Sequence, residues 1–143
     1  MLKLKVNVEE VKADIPASKL KEVLFKSMLK MEELAVDKAP VDIGTLRQNI
    51  SLFPQLLSKK YVLVSKMPYS APMEYGTRPF YAPIKPLKDW AKRVSGDESL
   101  GYAVRAKIAK QGITAQPFMR PAYYEVLNFW LPLYKKQVLS NDN

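Results

Sequence analysis

The sequence predicts an α+β fold: a long N-terminal helix and a C-terminal helix packed on a small antiparallel sheet, with a helical hairpin inserted before the last helix. Three observations predict it. From Leu20 to Ala35 the apolar residues recur at steps of three and four, the period of an amphipathic helix. From Leu46 to Lys66 they alternate, the period of strands. Between Pro79 and Gly112 two short helical periods flank Ser95-Gly96-Asp97, a turn that cannot continue either one.

The chain of 143 residues is read as a single domain, 1–143, with an insertion at about 78–116. It has no Cys, so it can hold no disulfide and no thiol nucleophile, and no His, which removes the commonest general base and metal ligand. No cofactor is expected. The alternating start, Met1-Leu2-Lys3-Leu4-Lys5-Val6, is no signal peptide. No apolar run reaches the ~18 residues of a membrane span. These features suit a protein made in a reducing cytosol. The net charge of +9 is uneven: residues 1–77 carry 12 basic and 9 acidic residues (+3), and residues 78–143 carry 11 and 5 (+6). Such a basic surface favours nucleic acid or acidic partners without choosing between them, and is also compatible with a solvated face.

Met1 to Val8 reads as a strand with Leu2, Leu4, Val6 and Val8 on one face. Pro16 breaks the chain, Ser18 is a candidate N-cap, and Lys19 to Lys38 reads as a helix. Its stripe of Leu20, Leu24, Met28, Met31 and Ala35, widened by Val23 and Leu34, suits a core face. Pro40 ends the helix, Asp42 suits an Asx turn and Gly44 a positive φ. The alternation predicts strand from Thr45, with Leu46 and Ile50 on one face and Arg47 and Asn49 on the other. Leu46–Phe53 and Lys60–Lys66 form the expected antiparallel pair, and the helix stripe is expected on the Val62 and Val64 face, with Trp130 or Phe129 closing one side. A short helical turn follows, with Pro72 near its start and Gly76 at its end.

Pro79, Pro83 and Pro86 open the most basic stretch as a semi-rigid arm. Helices are expected from about Pro86 to Val94, with Leu87, Trp90 and Ala91 on one side, and from Glu98 to Gln111, with Leu100, Val104 and Ile108 in phase. This pair has the outline of a DNA-reading helix-turn-helix, but the second helix offers few polar residues suited to base edges. Pro121 suits the first turn of a last helix, Ala122 to Val138, whose apolar face is Val126, Phe129, Trp130 and Leu133. Pro132 inside it predicts a kink or break, and 140–143 a fraying end.

No phosphate-binding glycine loop is present. The nearest catalytic constellation is Asp42 and Glu74 with Arg47. Paired carboxylates can do acid–base work or hold a divalent ion, but each sits in turn grammar that suits capping or ion pairing. An enzyme is not supported.

Three segments then carry a resemblance. They are Ala39-Pro40-Val41-Asp42-Ile43-Gly44-Thr45-Leu46-Arg47-Gln48-Asn49-Ile50, Tyr69 through Glu74-Tyr75-Gly76-Thr77, and Ala115-Gln116-Pro117-Phe118-Met119-Arg120-Pro121-Ala122. In this order they resemble the tail-completion, or head–tail joining, family of tailed double-stranded DNA bacteriophages. Trp90 to Arg93 and Ala103 to Gly112 resemble that family's helical insert. The likeness spans roughly residues 18 to 135. One departure is Asp42-Ile43-Gly44, where the family usually has Asp-Thr-Gly.

The resemblance implies a non-enzymatic virion protein of the phage neck, assembled in the host cytoplasm. It also implies a hexameric or dodecameric ring around the DNA channel, in contact with head connector and tail proteins and transiently with duplex DNA. Pro40, Asp42, Gly44, Leu46, Arg47, Tyr69, Glu74, Tyr75, Gly76, Thr77, Gln116, Pro117, Phe118, Arg120 and Pro121 are the matching positions. Lys85, Lys88, Lys92, Arg93, Arg105, Lys107 and Lys110 are the expected partner contacts. A tail-terminator-type subunit and a small basic DNA-binding protein are the alternatives.

Overall fold

The computed structural model describes residues 1–7, 15–55 and 60–140. In chain order its elements are β1 (Leu2–Asn7), α1 (Ala17–Lys38), α2 (Thr45–Gln48), β2 (Ile50–Gln55), β3 (Lys60–Ser65), α3 (Ser70–Tyr75), α4 (Ile84–Ser95), α5 (Leu100–Gln111), α6 (Met119–Glu125), a π-helical turn (Val126–Trp130) and α7 (Leu131–Ser140). The fold is α+β. Two compact units divide the chain: 1–70 with 117–143, and 71–116. The second unit thus begins at Ala71, ahead of the expected insertion at about 78.

In the first unit the sheet is antiparallel throughout, in the order β1-β3-β2. The register sets Val6, Leu4 and Leu2 opposite Tyr61, Leu63 and Ser65, with Pro54, Leu52 and Ile50 opposite the same three residues on the other side. Directly opposed residues share a face, so these nine form one surface, apolar except for Ser65. Leu24 of α1 packs against Tyr61 on it. The expected Val62 and Val64 face is therefore not the one that receives Leu24. The register explains the correction: Lys5 and Lys3 lie opposite Val62 and Val64, and a lysine-bearing face cannot be closed by an apolar helix stripe. Alternation within β3 alone could not choose, because Leu63 and Val62 are both buried. Pro54 is tolerated because β2 is an edge strand.

The stripe of α1 is buried as the period requires: Val23, Leu24, Met28, Met31 and Ala35 are all 4% exposed or less. The helix starts at Ala17, and Pro16 rather than Ser18 holds the cap position. The carbonyl of Pro16 accepts the amides of Lys19 (2.9 Å) and Leu20 (3.0 Å), and no side chain caps the end. Val8 and residues 56–58 and 141–143 lie outside the described residues, and with them part of the expected first strand, the link between the paired strands and the terminus.

A second correction concerns Thr45–Gln48, which forms a helical turn rather than the start of a strand. The Gln48 amide donates to the Gly44 carbonyl (3.1 Å), and the Asn49 side-chain amide donates to the Thr45 carbonyl (2.8 Å). Leu46 and Ile50 are both buried, but a spacing of four serves a helix and a strand alike, so alternation was a false guide.

The C-terminal helix runs antiparallel to α1. Lys38 pairs with Glu125 (2.9 Å), Lys30 lies 4.4 Å from the Trp130 ring centre, and the Lys19 ammonium donates to the Val138 carbonyl (3.1 Å). Pro132 neither breaks nor ends it. The π turn just before it bonds the Leu131 amide to the Val126 carbonyl, widening the ladder where proline supplies no N–H and its ring would crowd the preceding turn. The widened turn also shifts the phase of the apolar face. Phe129 is 59% exposed and does not close the core as expected, whereas Trp130 is half-buried and donates to Glu125 (3.3 Å).

In the second unit α4 and α5 form the expected hairpin, with Gly96 in the left-handed region (φ 76°) at its turn. Helix α4 starts earlier than expected, at Ile84 after Pro83, and α5 slightly later, at Leu100. The crossing is set by Gly101, where an added Cβ would lie 2.9 Å from the Lys88 backbone nitrogen.

Candidate functional site

The segment after α1 is a capping device. Arg47 donates from Nε to the Ala39 carbonyl and from Nη2 to the Asp37 carbonyl, each at 3.0 Å. A cationic fork on the open carbonyls of a helix C-terminus satisfies groups that no amide can reach. Gly44, at φ 82°, turns the chain so that α2 returns Arg47 to that end, and Leu46 fixes the turn by burial. Pro40 is half-buried and Asp42 exposed. Burial first, and then the charge of the Asp42 carboxylate, push the Tyr69 hydroxyl above its ordinary pKa.

The second segment is joined to the third. Gly76, at φ 74°, ends α3, with its amide on the Pro72 carbonyl (2.8 Å). Its bare Cα lets the chain from Ile113 to Ala115 pass: an added Cβ would stand 2.7 Å from the Ile113 carbonyl oxygen. The Thr77 amide donates to the Ile113 carbonyl (2.9 Å), and the Ile113 amide donates to the Thr77 hydroxyl (2.9 Å). The Gln116 amide donates to the Met73 carbonyl (2.7 Å). Gly112 is tighter still, since a Cβ there would fall 2.0 Å from the Thr77 carbonyl oxygen. Glu74 is fully buried and Tyr75 exposed. In the third segment Phe118 is fully buried at the head of α6, Pro121 is half-buried within it, and Gln116, Pro117 and Arg120 are exposed. The second segment thus contacts the start of the third.

The carboxylates of the supposed catalytic constellation have opposite surroundings, Asp42 exposed and Glu74 buried. Among the described residues no group of three or more potential acidic ligands is placed to hold a metal ion. No helix among the described residues is long and apolar enough to cross a membrane.

The basic positions lie on the hairpin. Lys85, Lys92, Arg93, Lys107 and Lys110 are exposed, and Lys88 and Arg105 half-buried. Within the unit Lys88 lies 2.8 Å and Lys92 3.6 Å from the Glu98 carboxylate. The hydrogen bond to Lys88 holds the Glu98 carboxyl below its usual range and raises the Lys88 ammonium. Beside them Asp97 accepts the Ser99 amide (2.8 Å) in an Asx turn, and its hydrogen bonds from the Ser99 hydroxyl and amide lower its carboxyl.

Sequence reasoning did not single out Tyr81 and Tyr102. The Tyr81 ring carries the Arg105 guanidinium at 6.0 Å, and the Tyr102 ring carries the Lys88 ammonium at 5.9 Å. Tyr102 and Arg105, three apart on α5, were legible as one helix face, but nothing local linked Tyr81 to them. No family model, no curated protein and no solved structure matches this chain.

Proposed function

We propose that this chain is a structural, non-enzymatic subunit of the neck of a tailed bacteriophage, completing the tail or joining it to the head connector as part of a ring around the DNA channel. One observation carries the reading. The second resembling segment and the start of the third, far apart in sequence, adjoin in the folded chain: Met73 and Gly76 meet Gln116 and Ala115. Segments shared for a common architecture should meet in this way. Exposed apolar side chains on separate elements, Phe25 and Leu29 on α1 and Phe129 before α7, suit association with further subunits. The virion neck is the location this reading requires, with assembly in the host cytoplasm.

The test is the mass of the purified protein across a concentration series, together with co-purification with connector and tail proteins. A closed multimer, or joining to those proteins, is the expected result. A monomer at every concentration that joins neither, and binds duplex DNA with a steep salt dependence, would overturn it in favour of a nucleic-acid-binding protein.

A further inference from the structure

We propose that Arg105, set over the ring of Tyr81, is a docking point for an acidic side chain of a partner protein. Arg105 is half-buried on α5, and its Nε is the one buried side-chain nitrogen or oxygen among the described residues with no hydrogen-bond partner. Its guanidinium lies over the Tyr81 ring and meets no carboxylate in the unit. Lys88 and Lys92, by contrast, are held on Glu98. Arg105 thus keeps an unspent charge while burial strips water from one edge of the guanidinium. An ion pair formed by the remaining nitrogens is strengthened by that partial desolvation.

The surroundings favour a protein partner. Tyr81, whose ring lies beside Arg105, is 81% exposed, and Tyr102, whose ring lies beside Lys88, is 56% exposed. Tyrosine and arginine are the residues most often found at the energetic centres of protein interfaces, where the ring covers apolar surface and the planar fork holds a carboxylate through two bonds. A nucleic-acid backbone would instead need a row of free cations to neutralise successive phosphates. Here Glu98 already holds two of the hairpin's lysines, Lys88 and Lys92, and the exposed Tyr81 ring beside Arg105 offers apolar surface that a phosphate does not use. A single acidic side chain, flanked by apolar residues that cover the ring, matches the site. The inference does not rest on the neck assignment.

The test uses the full chain, isotopically labelled, titrated in NMR with an acidic octapeptide of Glu, Asp and Leu and separately with a short DNA duplex. The Arg105 Nε–H resonance is expected to move with the peptide. Arg105→Lys keeps the charge but loses the fork, and Tyr81→Ser loses the ring, so each should weaken peptide binding by about tenfold. Tyr81, being largely exposed, carries the test if the arginine variant folds poorly. No shift with the peptide, unchanged binding in Arg105→Lys, or a larger response to the duplex would each overturn the proposal.

Discussion

The two units of this chain are held together by different means. The unit of 1–70 and 117–143 closes around volume: Met28, Met31, Leu63, Phe118, Met119 and Val126 are buried to 1% exposure or less. The unit 71–116 has few large buried side chains. Its elements meet through backbone, with Gly76, Gly101 and Gly112 each admitting a neighbouring chain closer than 3.0 Å to where a Cβ would stand. A unit built on volume should fail when atoms are removed, and one built on close approach should fail when atoms are added.

The largest expected effect is in the first unit. Phe118→Ala removes a fully buried ring and should cost about 3–5 kcal/mol, read as a lower denaturant midpoint. A loss below about 1 kcal/mol would mean that the ring is not central to that core. Next is Gly112→Ala. Its φ of 76° and ψ of −166° are tolerated almost only by glycine, and the added methyl would strike the Thr77 carbonyl. About 2–3 kcal/mol is expected. Hydrogen exchange should show the loss concentrated in residues 71–116, whereas an equal loss in α1 would show that the units do not unfold separately. Gly101→Ala tests the same idea on a helix crossing and should cost about 1–3 kcal/mol, as overpacking does. Gly44→Val is the control: its Cβ would meet only Gln48 Nε2, at 3.8 Å, so only the positive φ is penalised, by about 1 kcal/mol.

The smallest effect belongs to the surface bridge of the hairpin. Because the Glu98 carboxyl is held below its ordinary value of 4.5, its contribution is present above that value and lost as pH falls through the depressed one. Lys88 is shifted upward from 10.5, so its share is present below that value and disappears as pH rises through the raised one. Glu98→Gln should therefore lower the melting temperature slightly at neutral pH and not at all in strong acid. A difference that persisted at low pH would assign the effect to packing rather than charge.

Much of this fold was legible because its signals are local. The steps of three and four from Leu20 to Ala35 specify a helix with one buried face, and Gly76 and Gly96 end helices because each can turn left-handed while its amide donates to the carbonyl four residues before it. The resembling segments could likewise be read in order, each with its own turn residues. What lay beyond the sequence depends on distant chain. Leu46 and Ile50 fit two periods, and the helical turn prevailed where Arg47 could reach the end of α1. The apolar face of β3 that receives Leu24 was decided by Lys3 and Lys5 across the sheet, and the exposure of Phe129 by the π turn that accommodates Pro132. Gly101 and Gly112 read as a weak helix residue and a helix stop until the chain brought Lys88 and Thr77 against them. The same holds for Arg105, whose charge was plain in the sequence. Its burial, its want of an acceptor and its place over Tyr81 arose only when residues far apart in the chain were folded onto one face. Local propensity acts over a turn of chain, whereas register, close approach and desolvation are properties of the packed molecule.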